Sequence, residues 1–302
     1  MKRLIQFVVT AMLLLSFTAI SYAENGNELA PYLKIGELSV SMDEAIQKVK
    51  DALTSKDFEI IGEYHPESKA GLYVIAYTRD DLQKITLKVK DRGALASVLK
   101  IGFVQKDGKI AVSMLNPPFL FYAYLMDETD KYLGDLTAVS NDAKAAMRSI
   151  GTGFTPFGGG IEPDELKDYH YMMMMPYFTD PVDLNEYDSF EEGLSVIRKN
   201  LDAGKGKTKK VYELVFPGKE IAVFGIALLD PEDGEGHFLP IIGEDNIAAM
   251  PYELILQGKE VTMLHGKYRF ALLWPELTMG QFMKISSTPG DVEDAMELVT
   301  ED

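Results

Sequence analysis

Val261-Thr262-Met263-Leu264-His265 follows the dipeptide Gly258-Lys259, and Val112-Ser113-Met114-Leu115-Asn116 follows Gly108-Lys109 at an offset of 149 residues. In each copy the runs on either side of Gly-Lys are rich in β-formers, which predicts a β-hairpin. The correspondence extends in both directions. Tyr73-Val74-Ile75-Ala76 resembles Phe224-Gly225-Ile226-Ala227 at an offset of 151, and both are too short and too apolar for anything but a buried strand. Earlier, Ser41-Met42-Asp43-Glu44 and Ser189-Phe190-Glu191-Glu192 each place Glu three residues after Ser, the signature of a capping box at a helix start. Met42, Ile46, Val49 and Leu53 then match Phe190, Leu194, Ile197 and Leu201 at a constant offset of 148, which is the spacing of one helical face. Asp142, Ala146 and Met147 match Asp291, Ala295 and Met296, with Asp as the expected N-cap of a closing helix. The offset drifts only between elements, as in a duplication whose loops change length while packed elements keep theirs.

Each copy reads as helix, strand, strand, irregular crossing, hairpin and terminal helices, with an extra strand expected around Leu33 to Val40. The predicted class is α+β: two tandem homologous modules, each an antiparallel sheet with helices packed on one face, arranged as a pseudo-dimer. The expected division is a signal peptide over 1–23, a first module over 24–150, a Gly- and Met-rich connector over 151–187 and a second module over 188–302. Ala249-Met250-Pro251 leading into Tyr252 to Leu256, with Gly258-Lys259 and Val261 to His265, resembles the bacterial and archaeal "domain of unknown function 302" family. The likeness spans about Ser189 to Val299 and is weaker in the first copy, where Leu99 replaces Pro251. It implies a TATA-binding-protein-like module with a β-α-β-β-β-β-α layout that often pairs, and no activity to carry over.

Met1-Lys2-Arg3, an apolar run from Leu4 to Ile20 and Ser21-Tyr22-Ala23 read as a secretory signal peptide, so the chain is expected to be periplasmic or secreted with no membrane span after cleavage. With no Cys, disulfides and thiolate metal sites are excluded and stability must come from burial. A formal charge of -17, or -19 without Lys2 and Arg3, repels nucleic acid and anionic lipid.

No HExxH, GxSxG, Walker or GxGxxG pattern accompanies the four His. His265 and its counterpart Asn116 end the return strands, where strand alternation puts them on an inward face. Their expected role is to tie down the turn; the functional alternative is an enzyme with His265 as acid or base at the seam between modules. The loop Asp230 to His237 is rich in carboxylates but fails the EF-hand pattern and reads as solvated. Gly151 to Gly160 reads as a flexible joint. His170-Tyr171-Met172-Met173-Met174-Met175 admits three readings: an adaptable strap across both modules, a surface for a partner, or a soft Cu(I) site of His170 with Met172, Met173, Met174 and Met175. Tyr268, Phe270 and Trp274 echo Phe119, Phe121, Tyr122 and Tyr124 after the hairpin, as core or as the lining of an apolar pocket. The leading expectation is a non-enzymatic binding or interaction protein, taking a protein partner or a small apolar ligand. It needs no cofactor, with Cu(I) as the alternative, and is a monomeric pseudo-dimer or a homo-oligomer.

Overall fold

A computed structural model describes residues 27–302, and the expected signal peptide over 1–23 lies outside them. The first module runs β1 (Tyr32–Leu38), α1 (Met42–Thr54), β2 (Glu59–Tyr64), β3 (Leu72–Thr78), α2 (Asp80–Thr86), β4 (Leu99–Lys106), β5 (Lys109–Leu115), α3 (Pro117–Leu125), α4 (Glu128–Lys131) and α5 (Leu133–Met147). The connecting region carries β6 (Thr155–Phe157) and α6 (Pro163–Leu166). The second module runs β7 (Val182–Glu186), α7 (Phe190–Asp202), β8 (Thr208–Phe216), β9 (Ile221–Leu228), α8 (Glu235–Ile242), β10 (Tyr252–Gln257), β11 (Glu260–Met263), α9 (Gly266–Leu273), α10 (Met279–Phe282) and α11 (Thr288–Thr300). The class is α+β. Both sheets are antiparallel, and their strand orders correspond: β2-β3-β4-β5-β1-β6 in one, β8-β9-β10-β11-β7 in the other. Among the described residues no helix is long and apolar enough to cross a membrane.

Local chemistry accounts for most of these elements. The first hairpin closes at the pair Lys106 and Lys109 through Asp107 and Gly108, both at positive φ, as a two-residue turn matched to strand twist requires. Ser41 Oγ accepts the Glu44 N–H (3.2 Å) and Ser189 Oγ accepts the Glu192 N–H (3.1 Å), so both helices start where the spacing predicts. The reciprocal half of the box differs: Glu192 takes the Asp188 N–H (2.9 Å), while Glu44 pairs with Lys48 (3.0 Å). Ala45, Ile46, Val49 and Leu53 in α1, and Phe190, Ile197 and Leu201 in α7, are buried.

Three expectations are corrected. Asp142 lies inside α5, its carboxylate accepting from Arg79 (3.0 Å), and Asp291 sits in the first turn of α11 after the cap position Ser287. Face periodicity locates a helix but not its first residue, and Asp is equally at home on an exposed helical surface. The connector contributes strands to both sheets: β6 pairs with β1 and β7 pairs with β11, which draws the second module back to Val182. The Gly run is no loose joint. The Gly153 N–H donates to the Ile35 carbonyl (3.0 Å), and a Cβ on Gly151 would stand 2.5 Å from that same oxygen, so Gly there permits close approach to β1.

Helices α1 and α5 cover one face of the first sheet, and α7 and α11 one face of the second. The opposite faces meet across a seam. β2 and β8 each carry a register irregularity, between Ile60 and Gly62 and between Lys210 and Tyr212, and there the two strands touch. A Cβ on Gly62 would stand 2.4 Å from the Val211 carbonyl oxygen. The 3₁₀ segment Glu244–Ala249 of the second module packs on β3, β4 and β5 of the first, while its counterpart Gly93–Ser97 packs on β9. Reciprocal contacts of this kind are those of an isologous dimer interface, here within one chain.

Candidate functional site

The segment with four consecutive Met is anchored at both ends by aromatic groups. Tyr169 donates its OH to the Ala271 carbonyl (2.9 Å). Phe178 lies with its ring centroid 5.3 Å from Tyr124 of the first module and 6.1 Å from Tyr268 of the second, under the Arg92 guanidinium. Between these anchors the Met175 N–H donates to the Met172 carbonyl (3.0 Å) and Met174 adopts φ 71°, so the backbone turns and divides the run. Met172 and Met175 line a cleft, whereas Met173 and Met174 are 83% and 97% exposed. The four thioethers expected to act together as Cu(I) ligands are thereby separated into two pairs. His170 leaves them as well, its ring 4.3 Å from that of Tyr177.

The cleft has a volume of about 220 Å³. Tyr171, Met172 and Met175 form one wall; Lys267, Phe270 and Ala271 on α9, followed by Trp274, Pro275, Leu277, Met279 and Phe282, form the other. Of the residues suggested by sequence, Phe270, Trp274, Met172 and Met175 are brought together here. The floor is rigid: Phe270 packs edge to face on Phe238 (5.8 Å) and against Trp274 (5.6 Å). The outer wall is held by a true capping box, in which Thr278 Oγ1 accepts the Gln281 N–H (3.2 Å) and Gln281 Oε1 accepts the Thr278 N–H (3.1 Å). Gln281 Nε2 also donates to the Ile241 carbonyl (3.0 Å), fixing α10 to α8. Thr278-Met279-Gly280-Gln281 carries that signature in its sequence, so Met279 and Phe282 were the legible part of the site that repeat matching passed over.

The remaining candidates go elsewhere. His265 does not face inward: it is half-buried at the N-cap of α9, where Nδ1 accepts the Lys267 N–H (3.2 Å). Burial lowers its imidazole pKa, Lys267 adds to that, and Glu293 and Asp180 oppose it. Asn116 precedes α3, and its Nδ2 donates to the Ala30 carbonyl (2.8 Å), which ties the start of β1. Neither residue lines the cleft. Tyr268 is buried behind it, donating to the Ala123 carbonyl (3.3 Å) across the seam. The carboxylate loop is not wholly solvated, since Glu235 at its end is fully buried.

The seam holds charged groups that no motif announces. Lys100 on β4 pairs with Glu253 on β10; Glu253 also accepts from Tyr212 OH (3.0 Å), and the Arg269 guanidinium lies 3.7 Å from the Tyr252 ring centroid. Burial pushes the Lys100 pKa down and Glu253 pushes it back. Breaking such a pair by removing one partner costs about 3–5 kcal/mol, because the other is left charged and buried. Among the described residues Glu235 has no cation within ion-pair distance. It accepts from Tyr64 OH (3.0 Å), the Glu67 N–H (3.2 Å) and the Leu228 N–H (3.3 Å). Burial pushes its carboxyl up to about 7, against the pull of those three donors. Lys100, Arg269 and Glu235 are buried, and with the partly buried Glu253 they bind the modules to each other.

No known family and no curated protein matches the sequence. One solved structure, that of the "uncharacterized conserved protein DUF302 from Bacillus stearothermophilus", aligns over 39% of this chain and 96% of its own, at 12% identity and a TM-score of 0.34. A DUF302 protein is thus among the structural neighbours of the chain.

Proposed function

We propose that this is a non-enzymatic binding protein, exported to the periplasm or beyond, whose ligand is a small apolar molecule held between the Met strap and α9–α10. The carrying observation is the cleft itself, walled by three Met, Phe270, Trp274 and Phe282. Its size argues for a small occupant. An apolar cavity of about 150 Å³ takes up benzene, and drug-sized ligands occupy about 300–1,000 Å³; the present volume of about 220 Å³ lies between. Met side chains bend to irregular shapes, which suits a wall that must close over varied apolar groups. The matching strand orders and the paired irregularities of β2 and β8 support descent of both modules from one DUF302-like unit that once paired with itself.

The test is a titration of the mature chain with naphthalene, read by the emission of Trp274, the single Trp of the sequence. Saturable binding is expected in the parent and a loss of at least tenfold in Ala271→Phe, whose new ring fills the cleft. No saturable response, or equal binding by the filled variant, overturns the reading. Cu(I) offered under reducing conditions is the competing occupant: retention that vanishes in a Met172→Leu/Met175→Leu variant would replace the apolar ligand by the metal. A stable complex with another protein that masks Met173 and Met174 would replace it by a partner surface.

A further inference from the structure

The cleft is apolar at every wall but one, and that exception defines the chemistry of what enters. Lys267, second residue of α9, lines it with an exposed side chain, on a chain whose net charge is -17. The backbone N–H of Lys267 is already taken by His265 Nδ1, and among the described residues its ammonium makes no ion pair. A hydrocarbon would fill the space and leave the Lys267 ammonium without a counter-charge.

We infer that the ligand is an amphiphilic carboxylate, with an apolar body lying against Phe270, Met172, Met175 and Phe282 and a carboxylate end held by Lys267. This rests on the cleft being the binding site. Scaling from benzene in about 150 Å³ gives a body on the order of ten non-hydrogen atoms, the size of a medium-chain fatty acid or a short arylalkanoate. Lys267 sits where the cleft opens to solvent, so the charged end keeps partial hydration. Its contribution is that of a half-exposed pair, about fivefold in affinity at low salt and screened away as salt rises.

The experiment compares octanoate with 1-octanol on the mature chain, each followed by Trp274 emission and calorimetry at low and at high salt. Octanoate is expected to bind about fivefold tighter at low salt. That preference is expected to vanish in Lys267→Met and in high salt, and to persist in Lys267→Arg. Equal affinity for the two, or a preference that survives Lys267→Met, overturns the carboxylate inference while leaving the apolar cleft intact. Binding of neither removes the cleft as a site and the inference with it. Because Lys267 is exposed and unpaired, both variants are expected to unfold at the parent's urea midpoint, so a binding change reports on the cleft rather than on folding.

Discussion

Helices α4 and α10 occupy the same place in the two modules, each four residues long and each following the helix that leaves the hairpin. In the first module that turn reads Glu128-Thr129-Asp130-Lys131, and in the second Met279-Gly280-Gln281-Phe282. The polar version closes its module: Thr129 Oγ1 donates to the Phe121 carbonyl (2.9 Å), and Asp130 holds Lys167 (2.8 Å), which lies over the Tyr122 ring. Leu166 of α6 is buried nearby, and Phe178 covers Tyr124. Above α9 the strap lifts instead, and the apolar α10 faces it across open space. One architecture therefore yields a sealed layer in one copy and a cleft in the other. The modules share the residues that build the sheet, and they differ in those that cover α3 and α9.

The largest expected effect would break this comparison outright. Phe121 and Phe270 are counterparts, both buried, but Phe121 is enclosed by its module while Phe270 forms the floor of the cleft. Phe121→Ala should cost about 3–5 kcal/mol in urea denaturation, as a large void in a core does. Phe270→Ala should cost about 2 kcal/mol, because its loss extends a space that solvent already reaches. Equal costs would mean that the cleft is closed in solution.

A second asymmetry lies at Glu235. Its place at the start of α8 corresponds to α2 in the first module, whose acids Asp80 and Asp81 are exposed. An unfolded glutamate carries its proton below about 4.5, whereas the buried Glu235 keeps it up to about 7. Between those values the folded chain binds more protons than the unfolded one. The contribution of Glu235 is thus fully present below 4.5 and is lost as pH rises to 7, by an amount on the order of 3 kcal/mol. Glu235→Gln should flatten that part of the stability profile, measured by denaturant midpoints from pH 4.5 to 8. A profile of unchanged slope would remove Glu235 as its source.

The smallest expected effect tests likeness instead of difference. Ser41 and Ser189 make the same N-cap bond at 3.2 and 3.1 Å. Alanine at either should cost about 1 kcal/mol, and the two values should agree within experimental error. A marked disparity would show that α1 and α7 do not carry equal loads.

The α+β class, the two helix starts, the hairpins and the correspondence between copies were legible in the sequence by itself, since each depends on contacts between residues close in the chain. Ser to Glu at three, Gly-Lys between β-formers and apolar spacing along one helical face are local rules, and they recur in both modules. Phe270, Trp274, Met172 and Met175 were legible as apolar candidates but not as one site. Tertiary structure alone joined them, because the strap reaches α9 only through Tyr169 and Phe178, whose partners lie about 100 residues further on or 54 residues back. The same holds for Lys100 with Glu253 and for Glu235 with Tyr64, separated by 153 and 171 residues. No periodicity encodes such pairs, because a charge is stable in a seam only when the partner that faces it has been brought there by the fold.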